Sequence, residues 1–232
     1  MKKIGLIGGI GPESTLDYYR RIIRAFQERK SADYPEIVIY SANLTEILKL
    51  MEGKHWDALT EWLLHRIEAL RKAGAQFAAI GSNSPHVVFD AVKPRSSLPL
   101  VSIVEATCSK AQELGVKRLG LMGTAFTMQS DFFQNPFSMN GMSVVVPEPE
   151  DQNLIHRRLF TEIELGIIKD STRAELLAVA KRMIDRHGIE ALILGCTELP
   201  LILTQDEFGI PFLNTTAIHA EAMVLYSLGF SS

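Results

Sequence analysis

Lys2-Lys3-Ile4-Gly5-Leu6-Ile7-Gly8-Gly9 is repeated in kind by Lys117-Arg118-Leu119-Gly120-Leu121-Met122-Gly123-Thr124. Each copy is a basic pair, a short apolar run and a glycine, the pattern of a buried parallel strand running into a tight loop. A second pair sets Gly74-Ala75-Gln76-Phe77-Ala78-Ala79-Ile80-Gly81-Ser82-Asn83 against Gly188-Ile189-Glu190-Ala191-Leu192-Ile193-Leu194-Gly195-Cys196-Thr197, and a third sets Leu98-Pro99-Leu100-Val101 against Ile210-Pro211-Phe212-Leu213. The three offsets are 115, 114 and 112 residues. Offsets that close imply an internal duplication with pseudo-twofold symmetry.

Outward from these pairs, strand and helix signals alternate along the chain. Strands are expected at Lys3–Ile7, Ile37–Ser41, Phe77–Gly81, Leu100–Ile103, Arg118–Met122, Val144–Val146, Ala191–Leu194 and Phe212–Asn214. Helices are expected at Ser14–Glu28, Trp56–Ala73, Val104–Gly115, Asn153–Gly166, Thr172–His187 and Thr216–Leu228. The alternation predicts an α/β protein of two pseudosymmetric, doubly wound parallel-sheet domains, with an active-site cleft between them and ligands at the carboxyl ends of the strands. One domain is expected over residues 1–98 and 213–232, the other over 99–212, because the last helix completes the symmetry only by returning to the first sheet.

Composition narrows the function. The 232 residues, 47% hydrophobic and 22% charged, are ordinary for a soluble globular chain of two domains. A net charge of -3 offers no footprint for nucleic acid. No apolar run approaches membrane-spanning length, and the first strand is too short for a signal-peptide core. A cytoplasmic protein is expected, and its two cysteines, Cys108 and Cys196, are read as free thiols. Cys108 lies mid-helix and reads as packing; Trp56 and Trp62 read as core or interface.

The chemistry should lie in the loops. Gly8-Gly9-Ile10-Gly11-Pro12-Glu13-Ser14-Thr15 follows a strand and opens a helix, where backbone amides and the helix terminus favour an anion; its spacing is not that of a dinucleotide fingerprint. Gly81-Ser82-Asn83-Ser84-Pro85-His86 and Gly195-Cys196-Thr197-Glu198-Leu199-Pro200 each end a strand with a nucleophile-type residue and then place Pro at a helix start. A thiol at a helix N-terminus has a lowered pKa, so Cys196 is expected as a thiolate near neutral pH. Ser82 and Cys196 occupy equivalent positions in the two copies, the arrangement needed to take a proton from one face of a carbon and return one to the other. Glu198 reads either as a partner for a substrate ammonium or as a helix cap. His156, Arg157 and Arg158 read as a solvated basic run, and no metal or nucleotide site is discernible.

The Gly8–Thr15 loop, Gly123-Thr124-Ala125-Phe126-Thr127-Met128 with Asp131-Phe132-Phe133, Gly195-Cys196-Thr197-Glu198 and Asn214-Thr215-Thr216-Ala217-Ile218-His219-Ala220 together resemble the aspartate/glutamate racemase family over almost the whole chain. Glu198 after Cys-Thr resembles the aspartate-racemase branch. The resemblance implies an amino-acid racemase that uses neither pyridoxal phosphate nor any other cofactor, in which two cysteines flank Cα and exchange protons with its two faces. It implies a small amino acid or carboxylate as the ligand, with aspartate, glutamate or a relative as substrate, and a homodimer as the assembly. Catalysis is carried over to Cys196 and Ser82, and substrate binding to Gly9, Ile10, Met51, Asn83, Ser84, Thr124, Phe126, Thr127, Thr197 and Glu198; His219 is expected to be structural.

Three positions depart from the family pattern: Ser82 replaces the first cysteine, Ala125 stands where Arg is frequent, and Asn214 where Asp is frequent. A serine hydroxyl is a far weaker acid than a thiol. Two other readings therefore stand beside the racemase: a decarboxylase or cis-trans isomerase of small dicarboxylates using Cys196 alone, and an inactive small-carboxylate binding protein.

Overall fold

The computed structural model describes residues 1–29 and 33–230. Eight strands form two parallel four-stranded sheets. The first contains β1 (Ile4–Gly8), β2 (Ile37–Ser41), β3 (Phe77–Ile80) and β4 (Leu100–Val101) in the order β2-β1-β3-β4. The second contains β5 (Arg118–Met122), β6 (Ser143–Val145), β7 (Ala191–Leu194) and β8 (Phe212–Asn214) in the order β6-β5-β7-β8. Strand for strand the two orders are the same. The central strands β1, β3 and β7 are buried throughout, so each reads in sequence as an unbroken apolar run rather than an alternating one.

The helices between the strands are α1 (Pro12–Glu28), α2 (Leu44–Glu52), α3 (Trp56–Lys72), α4 (Phe89–Val92) and α5 (Ile103–Glu113), then α6 (Ala125–Gln129), α7 (Gln134–Met139), α8 (Pro149–Thr161), α9 (Asp170–His187) and α10 (Thr215–Leu228). α3 carries Leu59, Leu63, Ile67 and Leu70 at three- and four-residue spacing, and all four are buried in the core of the first sheet. α9 does the same in the second with Leu176, Val179, Ala180 and Met183. Short 3-10 turns at Ser84–Val88, Ile163–Leu165 and Leu199–Leu201 shape the loops. No helix among the described residues is long and apolar enough to cross a membrane.

The chain divides into two compact units, Met1–Ala106 with the segment from Thr216 onward, and Thr107–Thr215. Two strands lie on the other side of the boundaries expected from sequence. β4 pairs with β3 through Ala78–Leu100 and Ala79–Val101, and so belongs to the first sheet; β8 pairs with β7 through Leu192–Phe212 to Leu194–Asn214, and so belongs to the second. The reason is backbone hydrogen bonding. β3 and β7 are wholly buried, and their outer edges need a parallel neighbour to satisfy them, as in Ala78 N–H to Pro99 O and Leu192 N–H to Pro211 O, both 2.9 Å. β4 is also shorter than expected: Ile103 already opens α5.

Candidate active site

In a sheet ordered 2-1-3-4 the connections from the first and third strands leave in opposite directions, opening a crevice at their carboxyl ends. Each sheet has its own crevice, lined by loops 8–11 and 81–84 in the first unit, and by loops 123–127 and 195–198 in the second. Gly81 N–H donates to Ile7 O at 2.9 Å and Gly195 N–H to Met122 O at 2.7 Å, which ties each pair of loops together. Gly9, Ile10, Ser82, Asn83 and Ser84 are thereby gathered in one unit, and Thr124, Phe126, Thr127, Cys196, Thr197 and Glu198 in the other. Met51 stands apart on α2, the helix after β2, half-buried against the core beneath α3.

In the first unit Gly9 has φ +82, and a Cβ there would collide with the Ala42 backbone, so the turn requires glycine. Its amide donates to Thr15 Oγ1 at 2.8 Å, and the Thr15 hydroxyl donates to Gly11 O at 3.0 Å. The Gly9 amide is thus taken, while in the first turn of α1 the buried Ser14 hydroxyl has no hydrogen-bond partner among the described residues. Asn83 is buried, and Ser84 opens a 3-10 turn rather than the helix expected after Pro85. Behind Ser82, His86 Nδ1 bonds the Ser82 backbone carbonyl at 3.0 Å and the ring stacks on Phe89. Nδ1 is therefore the protonated nitrogen, and the imidazole holds the loop rather than activating the Ser82 hydroxyl. His219 accepts from the Tyr18 hydroxyl at Nδ1 (2.8 Å) and donates from Nε2 to Val101 O (2.9 Å), a structural role. Burial keeps both rings neutral, with pKa values of about 3 for His86, where His219 adds a smaller effect, and about 4 for His219.

In the second unit the Thr124 hydroxyl caps α6 by accepting from Thr127 N–H at 3.2 Å and lies 3.1 Å from the Thr127 hydroxyl. His156 accepts from Ala125 N–H at 3.3 Å, while Arg158 is held by Glu162 and Glu175, each at 2.7 Å; both leave the solvated-run reading for structural roles. Cys196 is 7% exposed. Its thiol donates to Glu198 Oε2 at 3.0 Å, and the Thr197 hydroxyl donates to the same oxygen at 2.8 Å. Glu198 is therefore the partner of the thiol and makes no cap.

The thiolate expected from the helix-terminus argument is not the resting form. The turn Leu199–Leu201 has three residues and sums almost no dipole. Burial, and then the charge of Glu198 and its hydrogen bond, hold the thiol well above its ordinary pKa, with Glu164 adding to the same direction. Glu164 is the residue that sequence reasoning missed. The helix expected to run to Gly166 ends at Thr161; a 3-10 turn, closed by Gly166 at φ +75, swings the Glu164 carboxyl until an oxygen from it, one from Glu198 and the Cys196 sulfur all lie within 4.8 Å of one another. Although the residue is exposed, partial desolvation of the carboxyl where it meets this cluster, and then the charge of Glu198, raise its pKa to about 7. The left-handed glycine was the available signal. Cys108, by contrast, is buried with its thiol toward Pro136 O at 3.7 Å, as a packing residue.

Residues 7–223 match the family model described as Asp/Glu/Hydantoin racemase. The chain belongs to the Asp/Glu/hydantoin racemase family. It is thereby an isomerase of the racemase class that works without pyridoxal phosphate. Over 233 aligned residues this racemase-family chain is 27% identical to the broad specificity amino-acid racemase RacX of Bacillus subtilis, covering 99% of the one and 100% of the other. It is 36% identical, with a TM-score of 0.87, to an aspartate racemase homologue from Pyrococcus horikoshii, covering 98% and 100% of the two chains. The aspartate racemase of Picrophilus torridus, 22% identical over 98% and 94% of the chains with a TM-score of 0.77, shares the fold.

Proposed function

We propose that this chain racemises an α-amino acid by moving protons directly at Cα, with Cys196 acting on one face and Ser82 on the other. The observation that carries the reading is the thiol of Cys196, placed at the carboxyl end of β7 and already donating its proton to Glu198. Glu198 takes that proton as substrate binds, and the thiolate removes the α-hydrogen: the Cα–H bond breaks, an S–H bond forms, and the electron pair passes from Cα into the α-carboxylate. An α-proton is a very weak acid, so the carboxylate needs preorganised donors. The first turn of α1 and the Ser14 hydroxyl are suited to that task, together with Asn83 and Ser84. A proton then returns to the opposite face from the Ser82 hydroxyl or a water it relays; solvent re-protonates that oxygen and Glu198 gives its proton to solvent, which restores the starting state. The substrate portion concerned is the part shared by aspartate, glutamate and their relatives: ammonium, carboxylate and Cα–H.

No base is attached to the Ser82 hydroxyl by His86, which bonds the carbonyl instead. The two faces should therefore differ, with efficient deprotonation only of the enantiomer whose α-hydrogen points at Cys196. The test follows α-proton exchange by NMR in deuterated water from each enantiomer of an amino-acid panel, alongside optical inversion. Exchange with inversion, faster from one enantiomer, is expected. Decarboxylation of a substituted malonate or isomerisation of maleate, with no amino acid exchanging, would replace this reading by one-thiol chemistry; binding without any turnover would replace it by a carboxylate-binding role.

A further inference from the structure

We infer that Glu164 is a specificity-determining residue which, with Glu198, directs this site toward amino acids with a cationic side chain and away from dicarboxylates; the inference rests on the racemase reading of Cys196. The geometry is the first ground. An oxygen of Glu164, one of Glu198 and the Cys196 sulfur lie within 4.8 Å of one another. A Cα positioned for proton transfer sits about 3–3.5 Å from that sulfur, so the groups it bears fall within reach of both acids. The substrate ammonium satisfies one of them. The other is left for the side chain.

The second ground is that neither acid has a basic partner among the described residues. Among the described residues no lysine or arginine forms an ion pair with Glu164 or Glu198, although the two acids and the Cys196 sulfur lie together. The basic residues nearest in the chain are committed elsewhere: Arg158 to Glu162 and Glu175, Lys169 to Glu162 at 3.1 Å. Position 125, at the first residue of α6, carries only a methyl group. A substrate with a side-chain carboxylate would bring a further acid beside Glu198 and a Glu164 already raised to about 7, and like-charge contact there is unfavourable, whereas a cation would be favoured by the ionised form of both. A side-chain ammonium or guanidinium would instead leave the cluster balanced, including at the moment when Glu198 takes the thiol proton and the negative charge moves to sulfur.

Solvent-deuterium exchange and inversion, measured for lysine and ornithine, alanine and methionine, and aspartate and glutamate, give the test. Wild-type kcat/KM should fall in that order, with about tenfold or more between cationic and dicarboxylic substrates. Glu164→Gln should reduce the cationic-to-neutral ratio about tenfold, and Glu164→Arg should raise dicarboxylates relative to neutral substrates. Each variant supplies its own control, because the neutral substrates report folding and chemistry together. Dicarboxylates as the best wild-type substrates, or a ranking unmoved by both substitutions, overturns the assignment while the racemase reading stands. Exchange from no amino acid at all overturns the racemase reading and this assignment with it.

Discussion

The loops after β3 and β7 hang from sheets of the same strand order, yet they treat buried polar groups in opposite ways. Behind Ser82 the first unit packs two neutral imidazoles, His86 and His219, each bonded to a backbone carbonyl. Beside Cys196 the second unit gathers two carboxylates: Glu198, which accepts the thiol's hydrogen bond, and Glu164, whose own pKa is raised to about 7. The scaffold is duplicated and the chemistry is not. One copy has become a rigid neutral wall, the other a proton-handling cluster.

The largest effect that would sharpen this contrast is loss of the thiol. Cys196→Ala should reduce α-proton exchange by on the order of 10³-fold or more, since a nucleophile or base of a concerted set is rarely replaced; residual exchange near the wild-type rate would move the chemistry to another residue.

Next comes acid stability, where the neutral wall should fail first. His86 and His219 have folded-state pKa values of about 3 and 4, below the ordinary 6.5. A depressed imidazole stabilises the fold fully above about pH 6.5, and the contribution declines as pH falls through 6.5 toward the folded values, because the unfolded chain then binds protons that the folded chain refuses. From pH 8 to 5 the loss is about 2 kcal/mol per ring, to be read from urea unfolding. Imidazole NMR should show Nδ1–H on His86 and Nε2–H on His219, with neither ring titrating above pH 5; titration near 6.5 would mean the wall is wet.

Giving the first copy the second copy's thiol is the third test. Ser82→Cys should speed exchange from the disfavoured enantiomer by about tenfold, as a thiol replaces a much weaker acid; equal exchange of both enantiomers in wild type, unchanged by the substitution, would remove Ser82 from the mechanism. Fourth, in a Cys108→Ala background, Glu198→Gln should move the midpoint of the pH profile for Cys196 alkylation downward by about one unit, because one of the groups that raise the thiol is gone. An unmoved midpoint would leave burial alone to explain it. The smallest effect belongs to Cys108→Ala itself, which should keep activity within about a few-fold.

The scaffold was legible in the sequence for a physical reason. β1, β3, β5 and β7 are apolar runs ending at Gly8, Gly81, Gly123 and Gly195, and burial forces both features. Shorter elements were not. α2 escaped despite Asn43, whose side chain accepts from Thr45 N–H as an N-cap, and α6 and α7 are only five and six residues long. β4 and β8 were visible as strands, but their sheet assignment depends on which buried edge needs a partner, which no local pattern encodes. The protonation state of Cys196 was illegible for a similar reason. It depends on the length of the turn after it and on Glu164, placed beside it by a 3-10 turn at 163–165.

The last helix also carries a consequence for how the protein is made. α10 supplies Ala220, Met223 and Val224 to the same core as Ile4, Leu6 and Phe26, and its Ser227 carbonyl receives the amide of Lys2 at 2.8 Å. On the ribosome the second unit is a continuous stretch, whereas the first strand must wait for α10 to be made before its core is closed. The N-terminal sheet is therefore the newborn chain's longest-exposed apolar surface, and chaperone demand during synthesis should be set there.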